Sequence, residues 1–113
     1  MWTADYREIE QTRVEVEGAV GVRIRWLIDE SRGAPNFALR EFEVDPGGHT
    51  PYHSHPWEHE VFILAGRGAS VDAAGRHPVG PGSVVYVAPG EEHNFINDGD
   101  EILRFLCIIP HHD

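Results

Sequence analysis

The chain has 113 residues, a length that suits one compact domain with a radius of gyration of roughly 13 Å. Nine Arg, no Lys and nineteen Asp plus Glu give a formal net charge of -10, which argues against phosphate backbones and anionic lipid surfaces as partners. The missing Lys also excludes Schiff-base chemistry, covalent pyridoxal phosphate and a phosphate-loop Lys, and the single Cys107 excludes an internal disulfide. Residues 1–10 lack the basic start and apolar run of a secretory leader, and no apolar stretch has membrane-spanning length, so a cytoplasmic protein is expected.

Apolar alternation runs through the chain in place of helical periodicity, so the expected class is all-β, with at most one turn of helix in residues 1–10. Val14 and Val16 alternate with Arg13, Glu15 and Glu17. Val20, Val22, Ile24, Trp26 and Ile28 then form one face opposite Arg23 and Arg25. A loop over 31–36 carries Gly33 and Pro35. Parity puts Arg40 inward with Phe42 and Val44, leaves Glu41 and Glu43 on the other face, and Asp45-Pro46-Gly47-Gly48 reads as the closing turn. Residues 61–64 and 84–87 are continuous apolar runs, and Ala73-Ala74-Gly75 marks a hairpin tip. In the last strand, 102–109, Arg104 sets the even positions outward and turns Leu103, Phe105 and Cys107 inward. Residues 110–113 are expected to be a frayed tail, with His111 and His112 lacking supporting ligands. Short strands punctuated by twelve Gly and eight Pro point to a closed or double-sheet antiparallel barrel.

His53 and His55 stand two apart, a spacing that in a strand aims both imidazoles at one point. Pro56 turns the chain, so His59 enters from a neighbouring strand, and His93 begins another strand beyond Gly90-Glu91-Glu92. Four neutral imidazoles inside an apolar barrel are costly without partners, and one divalent cation satisfies them all. His49 and His77, each alone beside turn residues, are expected to be solvated loop side chains.

These residues fall in a pattern that resembles the cupin family. The family's first motif, G-x5-H-x-H-x3-4-E-x6-G, is met by Gly47, His53, His55 and Gly66, with His59 in the Glu position. Its second, G-x5-P-x-G-x2-H-x3-N, is met by Gly82, Gly90, His93 and Asn97, with Ala88 at the Pro position and Pro89 one residue later. Glu60 answers the longer spacing of the first motif, so His59 or Glu60 is its third ligand; His59 is preferred because it fits both flanking spacings. The resemblance rests on residues 47–97 and implies a jelly-roll barrel, or double-stranded β-helix, over residues 1–113. The sequence is similar to small bacterial cupins with a four-His site, which are often manganese-binding. Cupin barrels commonly pair, and the apolar face Val20, Val22, Ile24 and Trp26, with Leu27 opposite, is the expected surface of a homodimer.

Four imidazoles on a cation that prefers six ligands leave two adjacent positions for substrate, water or dioxygen species, whereas a four-His tetrahedral Zn site would be closed and structural. Imidazole also suits Fe, Cu and Ni. Parity places Phe42, Ile63, Phe95, Phe105 and Cys107 beside the ion, with Tyr52 and Trp57 at the mouth. Arg40 is either a clamp for a carboxylate substrate or part of an ion pair, and Cys107 is either a small buried hydrophobe or a redox-active thiol. Glu58, Glu60, Glu91 and Glu92 and the Asn97 amide are the groups near enough in sequence to orient a ligating imidazole. The resemblance implies a metal-dependent, dioxygenase-like oxidoreductase acting on a small, partly apolar molecule. The alternatives are a Lewis-acid isomerase, a non-enzymatic cupin that binds metal or a small ligand, and a purely structural metal.

Overall fold

β-Branched and aromatic residues alternating with charged ones make strands that bury one side. The computed structural model describes residues 1–112, and nine strands form among them. They are β1 (Gln11–Arg13), β2 (Val20–Ile28), β3 (Phe37–His49), β4 (His59–Ala65), β5 (Gly68–Asp72), β6 (Gly75–Val79), β7 (Val84–Val87), β8 (Asn94–Ile96) and β9 (Leu103–Pro110). Two single 3-10 turns, Tyr6–Glu8 and Glu30–Arg32, open on Asp5 and Asp29, whose carboxylates accept from the N–H two residues on. Every pairing is antiparallel, in the order β6-β5-β8-β3-β9-β4-β7, with β2 also on β3 and β1 on β2. The sheet curls into a jelly-roll barrel with a radius of gyration of 13.7 Å. Among the described residues no helix is long and apolar enough to cross a membrane.

The long β3 ties the two parts of the barrel together. Its first part pairs with β9, from Phe37↔Pro110 to Val44↔Leu103, whereas its last residue, His49, pairs with Ile96 of β8. The expected turn at 45–48 is therefore a bend inside a continuous strand. Gly47 has φ +81°, the register against β2 slips between Val20 and Val22, and a Cβ on Gly48 would collide with the Val20 and Asp45 carbonyls. Pro and Gly serve a bulge as readily as a turn, which is why the sequence misleads at this point.

Parity elsewhere matches the sequence. Leu103, Phe105 and Cys107 of β9 join Val22, Val44 and Ile63 in the core. The runs at 61–64 and 84–87 are not buried on both sides: Phe62, Val84 and Tyr86 are exposed, while Val61, Ile63 and Val87 are buried. Strand β1 ends at Arg13, short of the alternation that continues to Glu17; Val14 N donates once more to Val22 O of β2 at 2.9 Å, and its side chain packs against the core. Of the β2 face expected to meet a second copy, Val22 and Ile24 turn into the barrel, while Val20 and Trp26 stay exposed, as does Ile28. His49 and His77 lie at strand positions, not in loops; His77 is exposed and its ring meets Asp72 at 2.9 Å.

The C-terminal segment is held, not frayed. The His111 N–H donates to Asn36 O at 3.0 Å, its ring Nε2 donates to Ala34 O at 2.7 Å, and the His112 ring stacks on Trp57 at 3.6 Å. Asp113 of that expected tail lies outside the described residues.

On the outer face Glu41 is only 1% exposed, held by Arg25 at 3.1 Å and by Arg104 at 2.9 Å. Burial and the neighbouring Glu43 push its carboxyl above the usual range against the pull of the two guanidinium groups. Asn97, 2% exposed, braces the barrel end: its amide donates to Val44 O at 2.8 Å and to Glu101 O at 2.7 Å, and its oxygen accepts from Gly99 N at 3.0 Å. Asn97→Ala leaves both carbonyls without this donor, so urea unfolding should show a loss of about 2–4 kcal/mol. A loss under about 0.5 kcal/mol, within the range of ordinary surface substitutions, would contradict a bracing role.

Candidate metal centre

Two backbone segments deliver the histidines. Residues 50–55 run extended alongside 93–95: Thr50 N donates to Phe95 O at 2.9 Å, Phe95 N to Thr50 Oγ1 at 2.9 Å, and Asn94 Nδ2 to Thr50 O at 3.1 Å. His53 and His93 exchange both backbone hydrogen bonds, at 3.1 and 3.0 Å, as an isolated antiparallel bridge. Gly90, with φ +79°, turns the chain so that its N–H donates to His55 O at 2.6 Å. His53 and His55 thus sit on an extended loop instead of the strand expected for them, because Pro51 and Pro56 lack ladder donors. His59 enters from the first position of β4, as expected.

One ring nitrogen each from His53, His55 and His93 lie within 4.8 Å of one another. The expected fourth member, His59, is not part of that group, although its ring centroid is 4.9 Å from His55 and 5.1 Å from His93. Its ring lies stacked on His55 at 24°, and its Nδ1 sits 3.3 Å from Cys107 Sγ on β9, which draws it deeper into the barrel. Its other nitrogen, Nε2, is buried without any hydrogen-bond partner. Where Nδ1–H donates to the sulfur, the Nε2 lone pair is a buried acceptor that a cation or a ligand proton can satisfy. On the opposite strand the His93 Nδ1–H donates to Glu91 O at 2.9 Å, which fixes the tautomer and leaves Nε2 as the lone pair.

His53, His55 and His59 are all held toward the neutral form. Burial first, then the neighbouring His93 and Arg40, lower the His53 pKa; burial and then His53 bring His55 to about 4, and burial and then Arg40 bring His59 to about 3. Uncharged nitrogens are the protonation state a metal needs. The donor set therefore fits a divalent cation.

The four imidazoles line a cavity of about 280 Å³ together with Arg40, Phe42, Phe95, Phe105, Cys107 and Trp57. Phe42 and Phe105 stack at 5.3 Å, and Phe95 meets Phe105 at 4.9 Å. Trp57 is sandwiched between the His55 ring at 4.7 Å and His112 at 3.6 Å. Two expected lining residues lie elsewhere: Ile63 is fully buried in the core, and Tyr52 is 47% exposed and outside the cavity wall. Glu60 follows His59 by one residue and so points to the outer face, where burial and then the adjacent Glu58 raise its pKa. Glu91 and Glu92 are exposed, and Asn97 serves the backbone brace. Val14, Val22, Ile24 and His112 also line the cavity and were not expected there, the last because its register depends on the distant loop around Asn36.

The matching family model is the cupin domain, over residues 40–109, and the chain belongs to that family. Among solved structures, the polyketide cyclase RemF from Streptomyces resistomycificus superposes with a TM-score of 0.92 at 37% identity, covering 97% of this chain and 79% of that one. By sequence, the chain is 39% identical over 71 residues to the 1-methylthio-D-xylulose 5-phosphate methylsulfurylase of Rhodospirillum rubrum, covering 63% of this chain and 46% of that protein. It is also 41% identical over 97 residues to the glucose-6-phosphate isomerase of Pyrococcus abyssi, covering 73% of this chain and 50% of the relative. The chain thus spans about half the length of these two relatives.

The depressed histidines make stability sensitive to acid in a defined sense. An unfolded chain protonates His55 and His59 near their ordinary 6.5, whereas the folded chain resists until about 4 and 3, so their contribution is complete above 6.5 and drains away below it. In chelator-treated protein the thermal midpoint should therefore fall between pH 6.5 and 4, and His55→Asn with His59→Asn should flatten that fall. An unchanged slope in the double variant would contradict the burial of these rings.

Proposed function

We propose that the chain is a metal-dependent cupin enzyme that holds one divalent cation on His53, His55 and His93, joined by His59, and acts on a small organic molecule in the adjoining cavity. The observation that carries this reading is His59 Nε2, a buried nitrogen with no partner beside three imidazoles that already converge. When bound, such an ion polarises a ligand oxygen and acidifies a bound water.

The chain's own residues do the rest. Glu91 O holds the His93 ring in its orientation through Nδ1–H, and Cys107 does so for His59. Trp57 buttresses His55 by stacking. Phe42, Phe95 and Phe105 exclude water and so strengthen every charge interaction inside.

The relatives carry the names of a methylsulfurylase, an isomerase and a polyketide cyclase, and those names favour Lewis-acid work over the dioxygenase chemistry implied by the sequence resemblance. Manganese is the ion proposed, by that same resemblance.

Metal analysis of untagged protein should return one divalent ion per chain. His93→Ala should abolish binding and His59→Ala should weaken it by about tenfold or more, while Glu60→Ala leaves affinity unchanged. Equal losses in the Glu60 and His59 variants, or no retained metal in the parent protein, would overturn the assignment.

A further inference from the structure

The chain has nineteen acidic side chains, and none of the described ones pairs with the cation that faces its cavity. Arg7, Arg23, Arg25, Arg76 and Arg104 each lie within 4.0 Å of a carboxylate oxygen. Arg40 does not. It stands on β3 between Trp26 of β2 and Cys107 of β9 in the sheet register, on the inward side. Its guanidinium is 5.5 Å from the Trp26 ring centroid and 5.0 Å from that of Phe42. A single hydrogen bond, Nη2 to Cys107 Sγ at 2.9 Å, is its only one among the described residues, and its Nε is buried with no partner.

A guanidinium has five donors in a planar fork; here Nη2 meets only a sulfur and the buried Nε has no partner, an unfavourable arrangement that a ligand oxygen would relieve. The residues around it are apolar or neutral: Val22, Ile24, Phe42, Phe105 and the imidazoles. A cation bound by those imidazoles would add positive charge on the same side, with no protein carboxylate to balance either centre. A ligand carboxylate would supply the negative charge that the protein does not place here.

Resting on the proposed use of this cavity, we infer that Arg40 is a specificity-determining residue that binds the carboxylate of a small organic acid, whose apolar body lies against Phe42, Phe95 and Phe105. The planar fork matches the planar carboxylate through paired N–H···O bonds. The cavity of about 280 Å³ has room for a body the size of one substituted ring.

Benzoate and its neutral isostere benzamide test this by calorimetric titration at neutral pH, with the full chain both metal-free and Zn²⁺-loaded. Benzoate should bind the parent protein at least about tenfold more tightly than benzamide in both forms, and Arg40→Gln should erase that preference while leaving benzamide affinity within about twofold. Equal binding of the two probes, or no binding of benzoate, would overturn the inference, and the parent protein alone decides this if Arg40→Gln does not fold. A preference confined to the Zn²⁺-loaded form and surviving Arg40→Gln would place the anion on the metal and equally overturn it. A preference in metal-free protein that fails to retain Zn²⁺ would support Arg40 while sinking the metal reading, so the two failures are distinguishable. Inorganic phosphate displacing benzoate as effectively as acetate does would overturn the carboxylate class.

Discussion

The two backbone hydrogen bonds exchanged by His53 and His93 join segments forty residues apart in sequence, and the site hangs on that join. Prolines on either side of His53 and His55 keep the loop from continuing a ladder, so its fixed point is this bridge, reinforced by Thr50 and Gly90. The positions of three imidazole rings follow. The fourth comes from β4, whose inward parity is fixed independently by Val61 and Ile63 in the core.

The same parity rule separates charge across the barrel wall. Along β3, Arg40 and Phe42 face the cavity while Glu41 and Glu43 face outward, where Arg25 and Arg104 neutralise them under the Tyr6 ring. A chain with a formal charge of -10 thereby keeps a cavity whose only permanent charge among the described residues is positive. Overall acidity governs solubility, whereas a ligand in the cavity would meet only the inner side of the wall.

Much of this was legible in the residues themselves. Alternation marked the strands and their inward faces, and the spacing of Gly47, His53, His55, His59, Gly82, His93 and Asn97 carried the family resemblance that implies the barrel and its imidazoles. What parity could not give was long-range. The Asp45-Pro46-Gly47-Gly48 segment has the composition of a turn but is a bulge, because the choice is made by which strand lies opposite. Parity sets Glu41 on the outer face but not its burial, which depends on Arg25 of β2 and Arg104 of β9. The C-terminal histidines read as a loose end because their anchors, Ala34, Asn36 and Trp57, are more than fifty residues away. The withdrawal of His59 toward Cys107 is likewise a matter of two neighbouring strands, which no local spacing encodes.

The proposed sharing of one cation by the imidazoles is the centre of this picture, and long-range ¹H–¹⁵N NMR of the histidine rings during Zn²⁺ titration tests it most directly. The Nε2 resonances of His53, His55, His59 and His93 should move together and saturate at one equivalent, while His77 and His111 stay fixed and the His93 Nδ1 remains protonated. Saturation that instead shifts His77, His111 or His112, or that leaves the four inner rings unmoved, would contradict a shared metal centre.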